Sequence, residues 1–424
     1  MDIPQLHTLF LAHRKVTTDT RKIEEGSLFF ALKGPNFDGN AFAAQALEKG
    51  AVKAIVDDTA YAGLADTILV DDVLECLQQL ATYHRRYCKA KVIALTGSNG
   101  KTTTKELIHA VLATTFNTLA TQGNLNNHIG VPLTLLTLSE ETELAVIEMG
   151  ANHQGEIAML SKLAEPDFGL ITNFGKAHLE GFGGVEGVIK GKSELYRYLI
   201  DHDAHIFMNA DDPIQKEKLA RYVKKVGFSQ EDTQYFNIVL ERTEPFVELS
   251  FEGKQVRTHL IGTYNFPNCC MAVLIGKYFN VAEHHIKEAL ERYIPENNRS
   301  QILERDGKTV ILDAYNANPT SMKAALESFD RMPGNTKAVF LGDMFELGGS
   351  SAEEHQNIAD LADKLGFHSI VFVGEHFAGI RTDHPQYADF ETLEADLPKL
   401  IGPATHVLIK GSRGMALERL LNDL

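Results

Sequence analysis

The sequence predicts an α/β protein of three domains: a small N-terminal α/β domain, a central domain with a mostly parallel sheet, and a Rossmann-like C-terminal domain. Its 424 residues are too many for one ordinary hydrophobic core. Short apolar runs alternate with helical patterns, which is typical of parallel sheets covered on both faces. The alternation pauses at the turn-rich run PENNR, residues 295–299. We therefore expect domains at 1–88, 89–298 and 299–424.

The first of these segments mixes short strands and helices, in the runs SLFFALKG, NAFAAQALEKGA and VKAIVDD. A helix is predicted over 77–88, LQQLATYHRRYC. It ends in a cationic patch, which suits the negative end of a helix dipole.

The central segment begins with an apolar, β-branched strand at Lys91–Gly97. The next predicted element is a helix over Thr102–Thr115, because its apolar residues recur on one face. Three more apolar strands follow, at Leu144–Gly150, Phe168–Gly175 and Ala204–Ala210. The C-terminal segment repeats this pattern in the runs TVILDA, KAVFLGD, SIVFVGE and HVLIKGS, which predict the Rossmann-like domain.

Composition limits the class of partner. A net charge of −16 argues against nucleic acid, because phosphate backbones need a basic surface, but it permits a local phosphate site. No apolar run is long enough to span a bilayer, and the first residues lack the pattern of a signal peptide. The four cysteines lack the spacing of a zinc site, which favours free thiols in a reducing compartment. We expect a cytoplasmic protein that acts as a monomer.

The run TGSNGKTTT, between the first central strand and its helix, predicts a phosphate-binding loop and hence an ATP-consuming enzyme. Two glycines let the backbone approach an anion, the lysine can reach the β- and γ-phosphates, and the next threonine can bind Mg²⁺. The first glycine of the general pattern would fall at Leu95, so the loop is a shorter variant. The alternative is a glycine turn that starts a Thr-capped helix. The residues expected to contact nucleotide are Gly97, Ser98, Asn99, Gly100, Lys101, Thr102 and Thr103.

Polar residues stand where ligands of parallel sheets bind, beyond the carboxyl ends of strands. Glu148 lies inside an apolar run, so it needs a cation or hydrogen-bond donors, and an acid beside such a loop commonly binds Mg²⁺. The alternative is a carboxylate satisfied by backbone amides. His178 follows a strand in a loop, and Lys192 lies in a predicted helix; taken singly, each is more simply structural or solvated.

Three further groups have two interpretations each. Asp313 ends a strand and could bind ribose hydroxyls or cap a turn. The asparagines of TQGNLNNHIG could face the γ-phosphate or form an ordinary turn. The basic residues of IKGSRG could grip a carboxylate or form a surface loop. The residues concerned are Asn124, Asn126, Asn127, Lys410 and Arg413.

Short motifs follow one another over nearly the whole chain, in the order TGSNGKTTT, TQGNLNNHIGVP, IEMG, NFGKAHLEGFG, KGKSELY, NADDP, GTYNFPN, NRSQ, LDAYNANP, LGDMFELG and IKGSR. This order resembles the Mur ligase family of bacterial cell-wall synthesis. The N-terminal run DTRKIEEGSLFFALKGPNFDGNAF resembles the family's uridine-nucleotide domain.

The resemblance implies a ligase that forms an amide at the expense of ATP. ATP would phosphorylate a substrate carboxylate, and an amine would displace phosphate from the acyl phosphate. The runs DAYNANPTS and GDMFELG resemble the member that joins D-alanyl-D-alanine to UDP-N-acetylmuramoyl-tripeptide. The third residue of the tripeptide stays open between meso-diaminopimelate and lysine.

The resemblance also implies roles for the residues. Lys101 would hold the β- and γ-phosphates, Thr102 and Glu148 the first Mg²⁺, and His178 with Lys192 the second. Lysine is a cationic donor, so Lys192 would serve as a carbamate formed with CO₂. The remaining nucleotide contacts would be Asn265, Asn268, Arg299 and Asp313, and the dipeptide contacts Asn316, Asn318, Lys410 and Arg413. Because these groups lie on two domains, closure of the C-terminal domain is expected.

Two positions depart from the family pattern. Tyr264 stands where histidine is usual, and Asn40 stands where histidine is common, although Thr20 and Arg21 match the uridine motif. Competing interpretations are a ligase that adds the third residue, a folylpolyglutamate synthetase, a P-loop kinase or nucleotide switch, and a non-catalytic nucleotide-binding protein. Glu148, His178 and Lys192 together disfavour both classes outside the ligases, since a switch needs neither a second metal nor a carbamate.

Overall fold

A computed structural model describes residues 1–296, 298–334, 336–422 and 424. Within these residues the chain forms three main sheets in consecutive segments, and the predicted α/β class is confirmed. No helix in the described ranges combines the length and the apolar character needed to cross a membrane.

The N-terminal sheet has four parallel strands in the order β1-β2-β5-β6, and a small hairpin, β3-β4, stands beside it. The strands are β1 Val16–Thr17, β2 Leu28–Phe30, β3 Lys33–Gly34, β4 Phe37–Asp38, β5 Lys53–Val56 and β6 Thr67–Leu69. The helices are α1 Ile3–His13, α2 Ala43–Glu48 and α3 Val73–Cys88.

The helix predicted at 77 begins earlier, at Val73, because the Asp72 carboxylate accepts a hydrogen bond from the backbone N–H of Glu75. Six buried residues of this α3 belong to the same hydrophobic core as Val131 and Leu160 of the central segment. Helix α3 therefore joins the N-terminal and central segments by packing as well as by sequence.

The central sheet has seven parallel strands in the order β13-β12-β11-β10-β7-β9-β8. The strands are β7 Lys91–Thr96, β8 Thr118–Ala120, β9 Leu144–Glu148, β10 Phe168–Ile171, β11 His205–Asn209, β12 Lys225–Ser229 and β13 Phe236–Asn237. The helices are α4 Lys101–Leu112, α5 Gly130–Leu135, α6 Glu156–Ala164, α7 Leu179–Phe182, α8 Val185–Lys192, α9 Glu194–Asp201, α10 Pro213–Lys218, α11 Phe266–Tyr278 and α12 Glu283–Arg292.

The middle strand β7 shows why the strands of this sheet are continuous apolar runs in the sequence. Val92 and Ala94 pack in one hydrophobic core, whereas Ile93 and Leu95 pack in another on the opposite face, and all four are fully buried. A strand covered on both faces has no solvent side and so no polar alternation.

A separate antiparallel sheet, which the sequence pattern did not indicate, interrupts the α/β alternation before α11. Its strands are β14 Val239–Arg242, β15 Glu248–Phe251 and β16 Lys254–Arg257.

The C-terminal sheet has the strand order β17-β18-β22-β19-β20-β21, parallel except for β17, which pairs antiparallel at one edge. Its strands are β17 Gln301–Arg305, β18 Lys308–Asp313, β19 Lys337–Gly342, β20 Ser369–Val373, β21 Gln386–Tyr387 and β22 His406–Lys410. Its helices are α13 Pro319–Arg331, α14 Ser351–Leu365, α15 Phe390–Glu394 and α16 Leu397–Ile401.

Candidate active site

A cavity of about 530 Å³ lies where the carboxyl ends of the central strands meet the C-terminal domain. Both sides contribute polar groups, as expected for a ligand site of a parallel sheet. The predicted residues that line it are Ser98, Asn99, Gly100, Lys101, Thr102, Thr103, Asn124, Asn126, Asn127, Glu148, His178, Asn265, Asn268, Arg299, Asp313, Asn316, Asn318 and Lys410.

The phosphate loop between β7 and α4 is fixed by the segment that follows β10. Thr172 Oγ1 donates to the carbonyl of Asn99 at 2.6 Å, and the backbone N–H of Asn99 donates to Asn173 Oδ1 at 3.0 Å. Gly97 is required there, because its φ is +147° and an added Cβ would lie 1.9 Å from Thr172 Oγ1. The strand predicted to reach Gly175 stops at Ile171, since these polar side chains turn toward the loop.

The first turn of α4 presents backbone N–H groups to the cavity, since no side chain caps this helix. Lys101 Nζ folds back on its own loop, donating to the carbonyls of Gly97 at 2.8 Å and Ser98 at 3.3 Å. Burial lowers the pKa of Lys101; Glu148 opposes this effect and Arg299 adds to it. A bound phosphate would offer the Lys101 ammonium an anionic partner in place of these two carbonyls.

Glu148 ends β9 with its side chain buried and half satisfied. Asn126 Nδ2 donates to Oε1 at 2.9 Å, whereas Oε2 has no hydrogen-bond partner among the described residues. The nearest cation to Oε2 is Lys105 Nζ at 4.0 Å, which is beyond hydrogen-bond reach. The interpretation in which backbone amides satisfy this carboxylate is wrong, because a side-chain amide bonds one oxygen and the other is free.

The three asparagines after β8 differ in their contacts. Asn126 orients Glu148, and Asn127 Oδ1 accepts from the backbone N–H groups of Ile129 and Gly130, so it also serves a turn before α5. Asn124 is exposed at the cavity.

Lys192, at the end of α8, is fully buried beside the ring of Phe182 and donates to the carbonyl of Ala151 at 3.1 Å. Burial, first, and the Lys101 ammonium, second, lower its pKa well below the ordinary value, although Glu156 and Glu194 oppose the shift. No carboxylate of the described residues forms an ion pair with it within 4.0 Å. Such an amine loses its proton readily, which is the state that reacts with CO₂. Lys192 does not line the cavity.

His178 precedes α7 and lies at the interface of two domains. Its Nδ1 is hydrogen-bonded to Glu346 Oε2, in the run GDMFELG, and this contact is the largest cause that lowers the pKa of Glu346. His178 therefore faces the C-terminal domain in this conformation. Among the described residues no three His, Cys, Asp or Glu side chains converge as a ready-made metal cluster.

The fit to Mg²⁺ rests on the donor set at Glu148. Mg²⁺ prefers oxygen ligands and usually binds one or two carboxylates together with water and substrate phosphates. The free Oε2 of Glu148 and the hydroxyl of Thr102, both on the cavity wall, are oxygen donors of this kind. They fit a cation that the nucleotide helps to bind.

The predicted nucleotide contacts fall into two groups. Asn265 and Asn268 bond one another at 2.8 Å, and Asn268 Oδ1 accepts from Thr104 Oγ1, so these amides also fasten α11 to α4. Arg299 stacks on Tyr315, with its guanidinium carbon 3.7 Å from the ring centre, and its buried Nε lacks a partner in the described part of the chain. Of these predicted contacts, Arg299 therefore has a donor available for an anion, and in the phosphate loop the buried Nδ2 of Asn99 also lacks a partner among the described residues.

Asp313, at the end of β18, forms an ion pair with the buried Lys410 at 2.6 Å. Lys410 also donates to the carbonyl of Asn316. In this conformation Lys410 therefore orients Asp313 and holds the turn after β18.

Three predicted substrate residues lie outside the cavity. Thr20 and Arg21 are on the N-terminal domain, where hydrogen bonds from Arg21 lower the pKa of Asp19 to about 2. Arg413 is exposed and forms an ion pair with Glu418. Asn40, which stands where histidine is common, is buried and bonds both Asp38 and Asp57.

The structure adds residues that sequence reasoning did not assign to the site. Tyr264 bonds Ser300 at 2.9 Å and Tyr315 supports Arg299, and both tyrosines line the cavity. Lys105 is buried beneath Glu148 and donates to the carbonyl of Thr121 at 2.7 Å. Its spacing of four residues from Lys101, which places both on one helix face, was the available signal.

Comparison with known proteins gives one consistent answer. Models of Mur ligase domains match residues 14–85 (catalytic domain), 95–276 (middle domain) and 298–419 (glutamate ligase domain). The UDP-N-acetylmuramoyl-tripeptide–D-alanyl-D-alanine ligase of Bacillus subtilis is 36% identical, over 96% of this chain and 92% of that protein.

Solved structures agree with the sequence comparison. MurF from Acinetobacter baumannii is 34% identical with a TM-score of 0.84, over 97% of this chain and 93% of that one. MurF from Thermotoga maritima, in complex with ADP, is 27% identical with a TM-score of 0.85, over 97% of both chains.

Proposed function

Because this chain belongs to the Mur ligase family, we propose that it joins D-alanyl-D-alanine to a UDP-N-acetylmuramoyl tripeptide, with ATP converted to ADP and phosphate. The observation that carries the proposal is the cavity shared by two domains. It combines a helix N-terminus without a side-chain cap, a guanidinium nitrogen of Arg299 and a carboxylate oxygen of Glu148, and neither of these two atoms has a hydrogen-bond partner among the described residues.

The phosphates of ATP fit the first turn of α4. Lys101 would leave the carbonyls of its own loop for the β- and γ-phosphates, and Arg299 would approach from the C-terminal side. Asp313, which forms an ion pair with Lys410, would accept hydrogen bonds from the ribose hydroxyls. We assign the nucleotide to residues 89–298 and 299–424 jointly.

Thr102 and Glu148 would hold the first Mg²⁺, and His178 with carbamylated Lys192 would hold a second. Bound Mg²⁺ supplies positive charge that neutralises the phosphates and orients the attacking carboxylate. For the second ion, His178 must leave Glu346, and a carbamate would make Lys192 anionic. The burial and lowered pKa of Lys192 support that modification.

Two bond exchanges complete the reaction. An oxygen of the tripeptide carboxylate attacks the γ-phosphorus, and the bond from that phosphorus to ADP breaks. The neutral amine of the dipeptide then attacks the acyl carbon, loses a proton to solvent or a base, and expels phosphate. Lys101 and Arg299 would offset the negative charge that develops during transfer, and closure of the C-terminal domain would keep water from the acyl phosphate.

The N-terminal segment 1–88 would hold the uridine end of the substrate, with Thr20 and Arg21 as its contacts. Asn124, Asn126 and Asn127 would lie near the tripeptide carboxylate, because their loop borders Glu148. For the dipeptide we propose Asn316, Lys410 and Arg413. The fourth residue that the resemblance implied, Asn318, instead uses its amide nitrogen to bond Asn99. Arg413 would have to exchange Glu418 for the dipeptide carboxylate.

An isotope experiment tests the acyl phosphate. Tripeptide substrate labelled with ¹⁸O in its terminal carboxylate is incubated with ATP, Mg²⁺ and D-alanyl-D-alanine, and the released phosphate is analysed by mass spectrometry. One ¹⁸O atom per phosphate is expected, since the attacking oxygen stays on phosphorus when the acyl bond breaks. Unlabelled phosphate would mean that water, rather than the carboxylate, attacks ATP.

A further inference from the structure

One hydrogen bond joins the phosphate loop directly to the C-terminal domain. Asn318 Nδ2 donates to Asn99 Oδ1 at 2.6 Å, across a sequence separation of 219 residues. Both side chains line the cavity, and Asn318 is only 4% exposed. A contact at this place links the predicted phosphate loop to the C-terminal domain.

The direction of the Asn318 amide is fixed by its own helix. Asn318 caps α13: its Oδ1 accepts from the backbone N–H of Ser321 at 2.9 Å, and its own N–H donates to Ser321 Oγ at 3.1 Å. With Oδ1 used by the cap, Nδ2 has to face Asn99. The side chain is therefore an inflexible part of the C-terminal domain.

On the other side, the backbone of Asn99 is held in place. Its N–H donates to Asn173 Oδ1, and its carbonyl accepts from Thr172 Oγ1 and Asn173 Nδ2, so the phosphate loop presents the Asn99 side chain from a fixed backbone position. The surrounding backbone is closely packed: Lys176 N donates to Thr320 Oγ1 at 3.0 Å. An added Cβ on Gly175 would lie 2.8 Å from Asn99 Nδ2 and 3.2 Å from Thr320 Oγ1.

We propose that this Asn99–Asn318 bridge makes seating of the C-terminal domain a condition for the productive geometry of the phosphate loop. In this proposal Asn318 is a positioning residue that acts through Asn99, and its amide is not a ligand of the dipeptide. The inference rests on the proposed ligase function, because it concerns how the two halves of that site are brought into register.

The substitution Asn318→Ser separates the two roles of the side chain. Serine caps helices about as well as asparagine, but it is too short to reach Asn99. We expect Asn318→Ser to melt close to the wild type and to bind a non-hydrolysable ATP analogue with a Kd within about twofold. Its kcat should fall about fivefold to tenfold, the value of one hydrogen bond. Asn318→Ala should show the same loss of kcat and a lower Tm.

A second variant changes the other residue of the bridge, Asn99 in the phosphate loop. Asn99→Ser removes the acceptor, and the double variant Asn99→Ser/Asn318→Ser should be no slower than the slower single variant, because both remove one interaction. If Asn318→Ser does not fold, Asn99→Ser alone carries the test, with the same loss of kcat expected.

Three results would overturn the proposal: wild-type kcat in Asn318→Ser or Asn99→Ser, fully additive losses in the double variant, or a rise in the KM for dipeptide with kcat unchanged. The last would make Asn318 a dipeptide ligand. Wild-type enzyme that forms no amide would instead refute the ligase function, whatever the variants do.

Discussion

At the scale of single residues, Glu148 shows how an incomplete set of contacts indicates a ligand. A buried carboxylate oxygen without a partner is costly, and the nearest cation, Lys105, is 4.0 Å away. The residue type and strand-end position were visible in the sequence. The free oxygen was not, because it depends on where Asn126 and Lys105 arrive from other elements.

Glu148→Gln tests this site. The amide keeps the shape of the side chain but loses the charge that would bind Mg²⁺, so kcat should fall on the order of a hundredfold. Mg²⁺ together with an ATP analogue should raise the Tm of the wild type more than that of the variant. Glu186→Gln, an exposed residue on α8, is the control. Equal Mg²⁺-dependent shifts in Glu148→Gln and wild type would exclude Glu148 as a ligand.

Lys192 makes a prediction about pH. Its pKa in the folded protein is lowered from 10.5, so between the lowered value and 10.5 the unfolded chain binds a proton that the folded chain lacks. The buried amine therefore destabilises the fold at neutral pH, and this cost disappears as pH rises toward 10.5.

In CO₂-free buffer, Lys192→Met should thus melt above the wild type near neutral pH, with a difference that shrinks as the pH approaches 10.5. Turnover should be almost lost while ATP still binds. The exposed Lys190, changed to methionine, is the control and should alter neither property. Full activity in Lys192→Met would remove a carbamate from the mechanism.

At the scale of elements, the sequence predicted the strands of the two larger sheets well, because a strand buried on both faces is a continuous apolar run. Strand ends were harder. The strand at Phe168 stops at Ile171, where Thr172 and Asn173 leave the sheet to bind the phosphate loop. The antiparallel sheet of 239–257 was missed because its strands are short, and two carry mostly exposed residues.

The phosphate loop yields a prediction about backbone shape. Gly97→Ala would place a Cβ 1.9 Å from Thr172 Oγ1, at a φ of +147°, so the loop must move away from β10. We expect a destabilisation of about 2–4 kcal/mol, combining left-handed strain with a steric clash, and a weaker affinity for ATP.

Gly366→Ala separates these two causes. Gly366 has a φ of +71°, but an added Cβ there meets no atom within 4 Å. It should cost only about 1 kcal/mol in urea unfolding and leave ATP affinity unchanged. Equal unfolding energies for the two variants would show that contact with Thr172 is unimportant.

At the scale of the whole molecule, the C-terminal domain contacts the central domain beside the cavity through several polar pairs. His178 bonds Glu346, Asn99 bonds Asn318, and Lys176 forms an ion pair with Glu354 at 2.6 Å. The sequence indicated that the two halves must meet, since nucleotide residues lie on both. It could not indicate which side chains touch, because those pairs are separated by more than 140 residues.

Reversing a charge at this interface should weaken the closure of the C-terminal domain over the cavity. Lys176→Glu would set two carboxylates against each other, and we expect kcat to fall roughly twofold to fivefold because Lys176 is half exposed and the repulsion is screened. The double variant Lys176→Glu/Glu354→Lys should recover most of the loss. Scattering should show less compaction of Lys176→Glu with ATP analogue and tripeptide. If the second substitution does not restore kcat, the Lys176–Glu354 ion pair does not control closure of the C-terminal domain.

The central claim is that ATP cleavage at this cavity is used to attach a dipeptide. The direct measurement follows phosphate and amide product together, with UDP-N-acetylmuramoyl-tripeptide, ATP and Mg²⁺, in the presence and absence of D-alanyl-D-alanine. One amide per phosphate, with both dependent on the dipeptide, is the predicted result. Phosphate release at the same rate without the dipeptide would contradict the claim. Faster phosphate release with glutamate or a diamino acid than with the dipeptide would also contradict it.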